Sequence, residues 1–133
     1  MDIVLRTNTE VPYLALLGVE RASASDYGAR LVVRSRGFAG EQRVSFDRAS
    51  LESFLEGVER MDRTLHGGAR LRFELEESIV VFDVARTGAV HVWGELLEHS
   101  EFTHHLRFGF GTDQTCLAPL AAALRACLGL AVV

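Results

Sequence analysis

The chain contains no lysine, so all 14 of its basic residues are arginine. With 18 acidic residues its formal net charge is −4, which argues against general nucleic-acid binding because phosphate backbones recruit cationic surfaces. Each cation is a planar guanidinium, a group suited to pairing with carboxylates and to stacking on aromatic rings. The charge pattern therefore predicts no nucleic-acid partner.

Long apolar runs and cysteines are also scarce. No run approaches the ~20 apolar residues of a membrane-spanning helix, and the segment after Met1 is strand-like. We therefore expect no membrane partner, no secretory signal and a cytoplasmic location. The two cysteines, Cys116 and Cys127, fall in one predicted helix about 16 Å apart, too far for a disulfide. Both are expected to pack as small apolar residues.

The chain is long enough to form a hydrophobic core without covalent help. It has 133 residues, of which 48% are hydrophobic. We therefore predict a single domain over residues 1–133 that needs no disulfide, metal or other cofactor to fold.

Alternation of apolar and polar residues predicts strands in both halves of the chain. They lie near residues 2–7, 13–21, 31–36 and 44–46, and again near 69–76, 79–85, 90–95 and 106–110. Turn signals at 37–40 and 86–88 separate neighbouring strands. Strands that are joined by tight turns must be antiparallel.

A helical apolar stripe follows the strands in each half. Asp47 is predicted to cap the first helix, with Phe46 and Leu51 as a hydrophobic staple, and the two glycines at 67–68 end it. The second helix is predicted to start near Thr115 and to end at Gly129. Asp113 caps a preliminary turn of this helix, because Pro119 is acceptable only in a first turn.

These elements predict an α+β fold, with a curved antiparallel sheet of about six to seven strands and two amphipathic helices packed on one face. The predicted core is Leu31, Val33, Val44, Phe46, Leu51, Phe54, Leu55, Val58, Leu71, Phe73, Leu75, Val90, Val92, Leu106, Phe108, Leu117, Leu120 and Leu124. The opposite face stays open unless a partner covers it.

The open face is the predicted working surface. Val90 and Val92 are assigned to the helix-covered side, so Trp93 points away from it. The predicted binding residues are Arg34, Arg36, Arg70, Arg72, His91, Trp93, Glu95 and Arg107, with Arg43, Glu74, Glu76 and His105 in the same phase. Arginine and tryptophan are enriched at protein interfaces. The alternative is that this face is exposed to solvent and stabilised by cross-strand Arg–Glu pairs. The acidic residues on the face argue against RNA binding.

A second candidate site is the segment richest in titratable groups, Glu95, Glu98, His99, Glu101, His104 and His105. Histidines and carboxylates at short spacing are able to bind a transition metal. Their spacing matches no zinc pattern, and neighbouring residues on a strand point in opposite directions. Asp83, on an apolar strand, would be a candidate general base if it were buried. We predict no metal site and no catalytic residue.

Three segments carry a family resemblance: Gly88-x-Val90-x-Val92-x-Gly94, Leu106-x-Phe108-x-Phe110 and Asp113-Gln114-Thr115-x-Leu117. Over roughly residues 44–128 the chain resembles small bacterial immunity proteins of wall-associated contact-dependent toxins, together with uncharacterised relatives. The resemblance implies a cytosolic, non-enzymatic protein that neutralises a toxin by binding it. The matching positions are strand and cap positions, so it carries over no functional residue.

The sequence thus predicts a non-enzymatic protein-binding domain that uses its open sheet face. A toxin domain is the partner that the resemblance implies. Two alternatives stay open: a small enzyme or metal-binding protein that uses residues 95–105, and a structural homodimer.

Overall fold

The computed structural model describes residues 1–74 and 77–131. Within these ranges each half of the chain forms four antiparallel strands followed by a helix. The first half contains β1 (Ile3–Leu5), β2 (Tyr13–Arg21), β3 (Asp26–Ser35), β4 (Phe38–Asp47) and α1 (Arg48–Thr64). The second contains β5 (Gly68–Arg72), β6 (Ile79–Val84), β7 (Ala89–His99) and β8 (Thr103–Asp113), then a 3₁₀ turn at Gln114–Cys116 and α2 (Leu117–Leu128).

The α+β class is confirmed, but the single curved sheet of about six to seven strands is wrong. Over the described residues the strands form two sheets, ordered β1-β2-β3-β4 and β5-β6-β7-β8. The backbones of the two sheets meet at an isolated bridge between Ser45 and Glu74. Tight turns determine pairing within each half. Because α1 separates β4 from β5, no tight turn forces these two strands to pair. The strands therefore do not continue as one sheet from β4 to β5.

Several strand boundaries differ from those predicted: β1 is shorter, and β4, β7 and β8 are longer. β3 begins at Asp26, so the end of the predicted loop is strand. β5 ends at Arg72, and the predictions for Leu75 as core and Glu76 as open-face residue lie outside the described residues.

Both predicted helix starts are confirmed. The Asp47 carboxylate accepts a hydrogen bond of 2.7 Å from the Ser50 backbone N–H at the start of α1. Asp113 likewise accepts from the Thr115 N–H and caps the 3₁₀ turn. Pro119 lies in the first turn of α2, where its missing N–H costs no helical hydrogen bond.

The predicted helix ends are half right. α2 ends at Gly129 as expected. The left-handed residue that ends α1 is Leu65, at φ 50°, and not one of the glycines that follow.

The core joins the inner faces of both sheets to both helices. Predicted core residues such as Phe46, Leu51 and Val92 are fully buried, whereas Leu106 and Phe108 are only partly buried. The prediction omitted all the core residues that β1, β2 and β6 contribute, which are Ile3, Leu5, Leu14, Leu16, Val19, Val80 and Phe82. An apolar cavity of about 30 Å³ remains where the sheets and helices converge.

A buried polar bridge connects the two sheets. The Gln42 amide on β4 donates to the Leu97 carbonyl on β7 at 2.7 Å, and its oxygen accepts from the Ser78 hydroxyl at 2.6 Å. The Leu97 N–H donates to the same hydroxyl. Gln42 and Ser78 are 5% and 2% exposed, so these hydrogen bonds satisfy groups that water does not reach.

Candidate functional site

The outer face of the second sheet holds most of the predicted binding residues. Directly opposed residues of an antiparallel ladder lie on the same face, and Trp93 on β7 lies between Val81 of β6 and Gly109 of β8. We call this surface the Trp93 face and define it by Arg70, Arg72, Asp83, His91, Trp93, Glu95, His105 and Arg107. Val90 and Val92 point into the core on the other side, as predicted.

Trp93 is half-buried although it lies outside the core. Its indole N–H donates to the Asp83 carboxylate at 3.4 Å. Val81, beside it on the same face, is 3% exposed. On the other side lies Gly109, which has no side chain and is exposed. Trp93 and Val81 therefore form a small apolar patch on an otherwise charged face.

Charged pairs surround this patch. The Glu95 carboxylate lies 3.2 Å from His105 Nε2 and 3.2 Å from Arg107 Nε. The Arg107 side chain is nonetheless 76% exposed. Arg70 and Arg72 are also exposed, and over the described ranges neither forms an ion pair. Among the described residues that define this face there are three arginines and two carboxylates, on a chain of net charge −4.

The remaining predicted binding residues lie elsewhere. Arg34 is on β3, where its guanidinium lies 5.7 Å from the centre of the Tyr13 ring. Arg36 lies in the turn between β3 and β4 with a positive φ of 55°. Arg43 is on β4 in the same sheet. Strand phase assigned Arg34 and Arg43 to an outer face correctly, but that face belongs to the first sheet, and Arg36 lies in a turn and not on a sheet face.

Asp83 does not meet the condition for a general base. It is exposed on the Trp93 face, and the apolar residues around it in the sequence point to the other side or are covered by Trp93.

The titratable segment 95–105 is divided between surfaces. Glu95 and His105 lie on the Trp93 face, whereas Glu98 and His104 are opposed on the other side of the hairpin. The latter pair borders an open groove of about 440 Å³ between the β3–β4 and β7–β8 hairpins, with Leu96 and Leu106 on its wall. In the part of the chain that the structure describes, no three histidine, cysteine or carboxylate side chains are grouped to bind a metal.

The cysteines do not provide an activated thiol. Both are free, and Cys116 is buried. Burial raises the pKa of the Cys116 thiol to about 11 and also raises the pKa of Cys127. Both therefore stay protonated at neutral pH, the less nucleophilic state.

Sequence reasoning missed the Gln42–Ser78 bridge and the exposed backbone of β8 at Gly109 and Gly111. The buried position of Gln42 could have been predicted from the sequence, because Gln42 alternates in phase with Val44 and Phe46, which point inward. A polar side chain at such a position needs a hydrogen-bond partner. The two glycines were also recognisable in the sequence, since they leave two successive positions on one face of β8 without side chains.

The chain matches no protein-family model, no curated protein and no solved structure. Within the described ranges, no helix combines the length and hydropathy needed to cross a membrane.

Proposed function

We propose that this protein is a non-enzymatic protein-binding domain that recognises an acidic partner surface through the Trp93 face. The observation that carries the proposal is Trp93 itself, a half-buried indole outside the core beside exposed arginines. A large aromatic residue next to guanidinium groups is the composition of an interface hot spot.

The charge distribution supports an acidic partner. The described residues that define the Trp93 face include three arginines and two carboxylates, whereas the chain as a whole is acidic. Arg107 exposes most of its side chain even though it contacts Glu95. Its remaining donors are free to form charge-assisted hydrogen bonds with a partner's carboxylates.

The resemblance to immunity proteins suggests the partner class. On that basis we propose a bacterial toxin domain as the partner and the cytoplasm as the place where they meet. In this function the protein acts by occupying the toxin's surface, and it needs no cofactor.

The test uses Trp93→Ala with a partner captured from the source organism and then purified. We expect the substitution to weaken binding by about 2 kcal/mol or more, roughly 30-fold, because a hot-spot indole loses its contact area. Isothermal titration calorimetry measures the affinity, and a thermal melt should show little loss of stability. Arg70→Glu should mainly slow association, which stopped-flow kinetics at two salt concentrations would show.

Matched arginines provide the control. Arg107→Ala should weaken binding, whereas Arg34→Ala, on the outer face of the other sheet, should leave the affinity unchanged. Equal losses for both arginines, or a Trp93→Ala variant that binds as tightly as the natural protein, would contradict the proposal.

A further inference from the structure

The outer edge of β8 has no backbone partner over the described residues. The Gln114 N–H donates to the Gly88 carbonyl at 2.9 Å just beyond the β7–β8 ladder. Hydrogen-bonded pairs alternate along an antiparallel ladder. Even-numbered residues of β8 therefore direct N–H and C=O toward β7, and odd-numbered residues direct theirs outward. Gly109 and Gly111 are among these odd residues, and both are exposed.

Two of the other edge strands, β1 and β5, are short, and the third, β4, forms one backbone bridge at its edge. β1 has three residues and packs against α2. β4 forms the Ser45–Glu74 bridge, and β5 packs against α1. By contrast, β8 pairs with β7 over 11 residues with no register shift. It contains no proline, one of the residues that protect edge strands against edge-to-edge pairing.

Two copies of β8 in antiparallel orientation have complementary side-chain sizes. The midpoint of β8 is Phe108. When two copies of β8 overlap fully in antiparallel orientation, Leu106 of one copy lies opposite Phe110 of the other. This is the face on which Phe108 and Phe110 of one chain stack, with ring centres 6.3 Å apart. On the other face, Arg107 and His105 are placed opposite Gly109 and Gly111. Each bulky side chain thus meets a glycine, and the outward backbone groups of the odd-numbered residues pair with one another.

The charged side chains of β8 are compatible with this alignment. Its one arginine, Arg107, is placed opposite Gly109, and its one carboxylate, Asp113, opposite Thr103. No two like charges are therefore directly opposed, an arrangement that would destabilise the pair.

We infer that a second copy of this chain pairs with β8 along its free edge, β8 against β8, about a two-fold axis at Phe108. The second sheets of the two copies then form one continuous sheet. Arg107 of each copy extends over Gly109 of the other, toward its Trp93, where a guanidinium stacks favourably on the indole. The inference does not rest on the proposed function, because it concerns the protein alone.

Hydrogen exchange on the natural protein tests the pairing at single residues. At high protein concentration the amides of His105, Arg107 and Gly111 should exchange slowly, and dilution should make them exchange fast. The amides of Leu106 and Phe110, which bond to β7, should stay protected throughout and serve as the internal control. Fast exchange of the odd-numbered amides at every concentration would overturn the inference.

Gly109→Pro provides the matching variant. It removes an outward N–H without removing a hydrogen bond to β7, and edge strands tolerate proline. Analytical ultracentrifugation should give twice the mass of one chain for the natural protein and for Gly109→Ala, and a dimer dissociation constant raised at least about tenfold for Gly109→Pro. A natural protein that is monomeric at all concentrations, or a dimer unaffected by Gly109→Pro, would overturn it. If Gly109→Pro does not fold, the hydrogen-exchange experiment on the natural protein decides the question.

Discussion

Gln42 shows how one polar residue can fix the relation between two apolar sheet faces. It lies in the inward phase of β4, and its amide connects the Leu97 carbonyl to the Ser78 hydroxyl. Apolar contacts are non-directional, so they do not by themselves define how one sheet is positioned on another. Hydrogen bonds between buried groups are directional, and each has a strong cost when only one partner remains.

We expect Gln42→Leu to destabilise the protein by about 1–3 kcal/mol, because it removes the 2.7 Å hydrogen bond to the Leu97 carbonyl and leaves that oxygen only the 3.5 Å contact from the Ser78 hydroxyl. Urea unfolding followed by circular dichroism measures the change. Adding Ser78→Ala should cost less than in the natural background, because its hydroxyl has already lost the Gln42 oxygen. A Gln42→Leu variant of natural stability would show that the bridge contributes nothing.

Phe73 is the residue at which core packing is best tested. It is 5% exposed, borders the small cavity and packs edge-on against Phe46 with ring centres 6.1 Å apart. Phe73→Ala should cost about 3–5 kcal/mol, because it enlarges a void that cannot collapse. The control is Phe102→Ala: Phe102 is 70% exposed and should change stability by less than about 0.5 kcal/mol. Similar losses at both positions would contradict the packing.

At the scale of elements, the caps show how local sequence determines helix starts. Asp47 and Asp113 each follow a strand and accept a backbone N–H at the start of a helical turn. Such motifs need only adjacent residues, so the sequence predicted both. The helical stripes and the phase of β7 are local for the same reason, which is why Trp93 was placed outside the core.

Asp47→Ala should destabilise the protein by about 1 kcal/mol at neutral pH. The hydrogen bond from the Ser50 N–H lowers the pKa of Asp47 below its unfolded value. Its contribution is therefore present above the unfolded pKa and is lost as the pH falls through the folded pKa. The difference between the natural protein and Asp47→Asn, whose cap does not titrate, should change over that acidic range and stay constant above it. Thermal melts across pH measure it.

At the scale of the whole molecule, the division into two sheets could not be predicted from alternation. Period-two patterns show which residues of a strand share a face, but not to which sheet the strand belongs. Arg34 and Arg70 therefore appeared to share one open face, although β3 and β5 belong to different sheets. Pairing across α1 depends on contacts between residues far apart in the chain, which no local motif records.

The cavity of about 30 Å³ at the convergence of the sheets and helices has a consequence for the volume of the protein. Its lining is apolar, and such cavities stay dry. On unfolding, this empty space is eliminated, so the unfolded chain together with its water occupies less volume than the folded protein. Hydrostatic compression favours the state of smaller volume. The cavity where the sheets and helices meet therefore lowers the stability of the folded protein under pressure.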